Sequence, residues 1–348
     1  MQDNLGQLVD ASVRQPRNVV ARFILADLDS AIMLLKSPSP NQQNRINKNA
    51  ALLFKSRVAL HEATWLNYHK NSALVPGTSN WPGKKSHPSF TLQIDNEIDF
   101  FLTEAMSASE QVADAVPLVS NTQDDGYNSS ANPYFAMFGD MDLNKYSEVL
   151  LWRSYSTVQN VSHNVNHYLN TNGGNTGYSR GLVENFTMAN GLPIYASGSG
   201  YKGDDSISTV KADRDNRLQI FMKGPRELRF TDRNNTDGSP ILEGYPDITG
   251  QAEVRYVTGY AIKKGLSYLN GQAEGSAGTT GSIVFRAVEA YLNYIEASYL
   301  KNKSINGKAA NYWSRIRERA GVNPDFNVTI ANTNMVEEAK RDLGAFSN

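Results

Sequence analysis

The chain has 348 residues, enough to bury roughly three quarters of its unfolded surface in one large domain or two ordinary ones. Its 34 basic and 35 acidic residues leave a net charge of −1, which excludes nucleic acid or an anionic membrane as an electrostatic partner. The absence of cysteine excludes a disulfide framework, a thiolate metal site and a cysteine nucleophile.

The opening residues MQDNLGQLVD have neither a basic n-region nor an apolar h-region, and no run of about 18 apolar residues follows, so no membrane span is expected within the chain. Asn18 is placed to cap a helix whose Val20, Ile24, Leu28, Ile32 and Leu35 share a face, and SPSP ends it. A second helix is expected over 49–69, with Leu52, Ser56, Ala59, Ala63 and Leu66 as a stripe small enough in its middle for two axes to come close. After the loop VPGTSNWPGKKSHPS, a third helix carries Ile94, Ile98, Phe101, Ala105 and Val112.

From 116 to about 282 helical periodicity fades into short apolar runs between Asn, Gly, Ser and Asp clusters. Asn190-Gly191 is a turn signal, RYVTGYAIKKG a strand candidate, and NTNGGNTGYSRG and SGSGYKGDDS are loops. Within the latter, GSGYKG matches G-x-G-x-x-G, but no buried strand leads into it and no helix is expected after it, so it reads as a loop. Periodicity returns in FRAVEAYLNYIEASYLKNKSINGKAANYWSRIRERAG, residues 285–321. Val288, Leu292, Ile295 and Tyr299 define one helical face, Ala309, Trp313, Ile316 and Ala320 a second, and Gly321 a left-handed cap. Such an antiparallel hairpin expects neighbours, and Trp313 is expected to pack between its helices. Residues 336–346 start one more helix.

The order of pairs resembles tetratricopeptide units. More specifically, NKNAALLFKSRVALHEATWLNYH, GLVENFTMANGLPIY, DRDNRLQIF, YVTGYAIKKG and the 285–321 stretch resemble, in that order, the blocks of the SusD/RagB family, outer-membrane surface lipoproteins of Bacteroidetes that capture nutrients, usually glycans. Ser314 stands where that family usually has Asn, and Trp313 where it has a Leu-like residue. The resemblance implies a mainly α fold of tetratricopeptide-like helical pairs with a large loop-rich region carrying a few short strands. One domain is expected over 1–348: scaffold at 14–115, loop-rich ligand-presenting region at 116–282, scaffold hairpin at 283–321, and a further helix from 335. It also implies that the chain is a fragment lacking the family's N-terminal part, with its lipoprotein signal and acylated cysteine, and its C-terminal end. The implied function is non-catalytic glycan capture at the outward face of the outer membrane and delivery to a SusC-like TonB-dependent transporter, with membrane attachment only through a lipid anchor of the parent protein. The alternatives are RagB-like peptide capture, a helical glycoside hydrolase, and a helical-repeat adaptor for protein partners.

Sugar binding needs flat aromatic faces and amide, carboxylate or guanidinium groups that reach neighbouring hydroxyls. Trp81, in a loop between Asn80 and Pro82, and Asn164, His167, Tyr168, Tyr178 and Arg180 are the candidate contacts; His163, Asn166 and Asn175 lie among them. Trp65, Trp152 and Trp313 read as core, with Trp152 near Arg153 and Tyr155 a secondary candidate. His163 and His167 are spaced i, i+4 but have no third ligand nearby, and Asp124–Asp125 and Asp140–Asp142 lack the twelve-residue calcium loop, so no metal and no cofactor is expected. No G-x-S-x-G, H-E-x-x-H or Walker pattern occurs.

Overall fold

The structure is a computed structural model and describes residues 6, 12–37, 43–123, 131–229, 239, 241–267, 269, 271–305 and 307–341. It is mainly α, and it separates into two compact units: Met1–Pro117 with Phe285–Ala310, and Leu118–Val284 with Asn311–Asn348.

The first unit is built from α1 (Arg17–Leu34), α2 (Lys48–His69), α3 (Ile94–Ala115) and α4 (Val288–Asn302). Helix α2 packs along α3 and α1, and α4 lies on α3 with a smaller contact to α2. Alanine allows this close packing: Ala59, Ala63, Ala105 and Ala297 are fully buried beside Leu25, Leu66, Ile98 and Phe101. The expected stripes of α2 and α3 are the buried ones. Two other expectations fail. Asn18 is not a cap but lies inside α1, buried, and donates to Glu97 Oε1 at 3.0 Å; its neighbours Ala21 and Leu25 complete the buried face, leaving Val20 outside. In α4 the buried face is Tyr291, Tyr294, Ala297 and Ser298, while Leu292 and Tyr299 are half exposed. Of the expected stripe Val288 is buried, but further along the helix the face carrying Tyr291 turns inward, and Tyr291 donates its hydroxyl to Val116 O at 2.9 Å.

Two buried carboxylates anchor α1. Glu97 accepts from Arg22 Nε and Nη2 at 2.8 and 2.7 Å; burial alone would raise its pKa, but these bonds and that of Asn18 take it below the ordinary value. Glu62 is pushed up by burial, which its single bond from Arg17 Nε at 2.7 Å only partly offsets.

The second unit has little regular structure. Strand β1 (Val149–Arg153) pairs with β2 (Ser282–Arg286), and the rest is short helical turns linked by isolated bridges such as Met188–Arg214 and Met222–Ile262. The strand candidate at 255–265 therefore contributes one bridge and no strand. Turn and loop bonds such as Tyr178 N–H to Tyr260 O and Lys263 N–H to Phe221 O pair much of the backbone, and buried cations fasten the rest together. Arg214 of the DRDNR block donates to the carbonyls of Val183, Phe186 and Val210 at 2.6, 2.5 and 3.1 Å. Lys211 and Lys263 share Glu227 at 2.5 and 3.0 Å. Fully buried Glu148 takes Arg319 Nη1 and the Val119 N–H, both at 2.6 Å. Helix α5 (Gly307–Arg319) ends as expected at Gly321, φ +66°, and Trp313 finds its partner in the next helix, α6 (Phe326–Asn332), stacking on Phe326 with centroids 4.5 Å and planes 6° apart. A last short helix, Met335–Arg341, follows where one was expected to start. A short helix, Ile207–Lys211 with a Ser206–Thr209 capping box, follows the GSGYKG loop where none was expected.

Candidate functional site

Within the second unit, residues 163–170 are stitched to the loop at 267–280. Asn164 Oδ1 accepts from the Ser276 N–H at 2.5 Å, and Asn166 Oδ1 from the Ser267 N–H at 2.5 Å. Each histidine turns one ring nitrogen to a backbone carbonyl: His163 Nε2 to Thr280 O at 2.8 Å, His167 Nδ1 to Ala273 O at 3.0 Å. The spacing that suggests a metal pair thus serves loop anchoring. Among the described residues no three His, Cys, Asp or Glu side chains gather as a metal site would need. Asp140 and Asp142 cap turns, taking the N–H groups of Met141 and Asn144, and Asp124–Asp125 lie outside the described residues.

The stitched run widens into a π-turn, Tyr168–Asn172, a geometry that places successive side chains off the ordinary helical register. Gly173 closes it at φ +59°, where a Cβ would come within 2.7 Å of Arg255 O; this close approach is what the Gly-Gly of NTNGG provides. Tyr168 faces outward, 41% exposed, edge-on to His167. Asn170 faces inward, 1% exposed, and neither its amide nitrogen nor its oxygen has a protein partner. Its backbone is fixed by Arg229 Nε donating to Asn170 O at 2.7 Å and Tyr256 Oη donating to Leu169 O at 3.0 Å.

Asn170 is among the residues lining a cavity of about 200 Å³, with Lys223, Arg229, Glu243, Asp247 and Tyr256, although its amide atoms are themselves buried. Lys223 Nζ lies 2.8 Å from Glu243 and 5.5 Å from the Tyr256 ring centre. Burial pushes its ammonium down, and Glu243 opposes that shift. Asp247 Oδ1 accepts the N–H groups of Thr249 and Gly250 at 3.0 and 2.8 Å, which shapes the wall. Tyr245 lines the same cavity while remaining 82% exposed, between Gly244 and Pro246. None of these residues is singled out by sequence reasoning. The signal was present for one of them: an aromatic held before a proline in a loop, the pattern that drew attention to Trp81.

The other candidates stand elsewhere. Tyr178 donates to Phe221 O at 3.0 Å and packs on the Val183, Val210, Leu218 and Met222 cluster, where burial pushes its hydroxyl up. Arg180 is exposed and paired with Glu184 and Asp204 at 2.6 and 2.9 Å. Trp152 is buried in the core, its indole N–H donating to Asn144 Oδ1 at 3.3 Å. Trp81 belongs to the first unit; its ring lies over Gly83, with His87 and Phe90 centroids 6.0 and 5.6 Å away. That unit also has a groove of about 450 Å³, walled by Val20, Ala21, Ile24 and Val58, whose apolar lining suits packing more than hydroxyl recognition.

A model of the SusD family matches residues 121–341, more than half of the chain. The chain belongs to the SusD family. No curated protein matches it. Solved structures agree on the fold. A SusD-like protein from Bacteroides fragilis NCTC 9343 is 19% identical with a TM-score of 0.56, over 94% of this chain and 57% of that one. A SusD-like carbohydrate binding protein of the same strain is 14% identical with a TM-score of 0.55, over 97% and 58%. A structure with a xylogluco-oligosaccharide is 16% identical with a TM-score of 0.53, over 92% and 53%. The SusD-family chain described here thus spans little more than half the length of these relatives. Among its described residues no helix is long and apolar enough to cross a membrane.

Proposed function

We propose that this SusD-family chain is part of a non-catalytic binding protein that captures nutrient glycans at the outward face of the outer membrane and passes them to a SusC-like TonB-dependent transporter. The observation that carries the reading is the cavity beside the π-turn, lined by Lys223, Arg229, Glu243, Asp247 and the exposed ring of Tyr245, with the exposed ring of Tyr168 on the turn itself. These are the groups that hydroxyls and the apolar faces of sugar rings need. The carbohydrate-binding description of one relative, and the oligosaccharide with another, support the same ligand class. Anchoring through a lipid of the parent protein is part of the proposal.

In this reading Tyr168 touches ligand, Asn164 and His167 hold the loop that carries it, and Tyr178 stiffens the segment leading to Arg180. Trp81 and Arg180 are proposed as outlying contacts for a longer chain. Titration calorimetry and affinity electrophoresis against a panel of glycans and peptides test the ligand class: a glycan is expected to bind, and binding of peptides alone overturns it. Tyr168→Ala is expected to weaken glycan binding severalfold with little change in melting temperature. Co-purification of the parent protein with an outer-membrane transporter tests delivery.

A further inference from the structure

We infer that the outer face of α1 is a self-association surface, on which a second copy of this chain lays its own α1 antiparallel to the first. The inference goes beyond the glycan-capture reading and does not rest on it.

Val19, Phe23, Ala26, Ser30 and Met33 follow one another at steps of four and three, which keeps them in one line along the helix, and all five are exposed. Phe23 is 65% and Met33 82% exposed, with Leu34 beside Met33 at 84%. A row of mostly apolar side chains repeating every 3.5 residues is the seam that two helices share in a coiled coil. Ser30 fits such a seam, because its hydroxyl already donates to Ala26 O at 3.1 Å and needs no partner across the contact.

Size sets the direction. In a parallel pair Phe23 meets its own equivalent and Ala26 meets Ala26, which forces the axes apart at one layer and leaves a gap at the next. Antiparallel, Phe23 of each copy lies level with the partner's Ala26, and Val19 with the partner's Ser30, so each larger group faces a small one. Charge agrees with that register. Arg22 and Asp29 are one heptad apart on one flank of the stripe, and reversal brings Arg22 within about 3 Å along the axis of the level of the partner's Asp29, once at each end. Both side chains remain open to such a contact, 44% and 56% exposed, while holding Glu97 and Lys55 within their own unit. Asp27 and Asp29 beside the stripe oppose an anionic membrane as the occupant.

The chain contains no cysteine, so single cysteines report the register directly. In the antiparallel pair the two copies of position 26 are about 4.5 Å apart along the axis, and those of position 33 about 26 Å. Ala26→Cys is therefore expected to be joined into a dimer by a short bismaleimide, and Met33→Cys to stay unlinked. Sedimentation velocity across the micromolar range is expected to show a reversible dimer for the wild type. Phe23→Glu is expected to weaken it at least about tenfold at an unchanged melting temperature, since the ring is exposed within the single copy. A wild type that stays monomeric throughout overturns the inference, as does a dimer that Phe23→Glu leaves intact. Linking of Met33→Cys as readily as Ala26→Cys overturns the antiparallel register.

Discussion

Glu62 and Glu97 lie in the same helical unit and titrate in opposite directions from the ordinary carboxyl, near 4.3. Glu97 is lowered, so its contribution is in place above the ordinary value and is lost as pH falls through its folded value. Glu62 is raised, so its protonated form favours the fold, and that contribution is lost as pH rises through its folded value. Glu97→Gln is therefore expected to destabilise by about 1–2 kcal/mol at neutral pH, a modest figure because Arg22 is partly solvent-exposed. Glu62→Gln should be neutral or slightly stabilising there. Urea denaturation at pH 4, 5 and 7 checks both, with the two variants diverging from wild type in opposite directions as pH rises. Arg214 is a third residue with a clear role: Arg214→Met leaves three carbonyls without their donor and is expected to cost about 2–4 kcal/mol, visible as a lower denaturation midpoint. At this scale the sequence shows which residue types are present but not which are satisfied. Asn164, Asn166 and Asn170 look alike in the run, yet two of the amides are bound to protein and one is not.

Elements were legible where a stripe has no rival. Every member of the stripe expected on helix α2 is buried, though Leu53 and Leu60 beside it are buried as well. Helix α4 offers two faces, one aliphatic and one carrying Tyr291 and Tyr294, and periodicity alone does not choose between them. The turn at Asn190-Gly191 formed as read, with the Met188 N–H donating to Leu192 O at 2.9 Å. Gly139 was not legible at all, because its demand is long-range: a Cβ there would lie 2.1 Å from Leu266 O. Gly139→Ala is expected to push that backbone aside and to destabilise by about 2 kcal/mol or more. Because Ser267 next door donates its N–H to Asn166, the same change should raise amide exchange across 267–280, which hydrogen-exchange mass spectrometry reads.

For the whole molecule, the helical unit was readable from local repeats and the loop-rich unit was not. The reason is that the latter is held by pairs far apart in sequence, such as Arg319 with Glu148 and Lys263 with Glu227, and such pairs leave no period behind. The family blocks identified the fold, and several of their charged residues, Arg214 and Lys263 among them, turn out to be internal fastenings. With a net charge of −1, and if the proposed glycan is a neutral one, affinity should change less than about twofold as salt is raised well past 0.15 M, where exposed charges are screened. A steep salt dependence in the calorimetry would mean that ions are exchanged on binding.

The buried ammonium groups of Lys211, Lys223 and Lys263 have one more consequence. An amine-directed acylating reagent reaches them only when the surrounding loops part, whereas surface lysines react at once. Followed by peptide mass spectrometry, these three sites form a built-in clock for how often the unit breathes, and slower acylation of Lys223 in the presence of sugar would report closure around the ligand without any label being introduced.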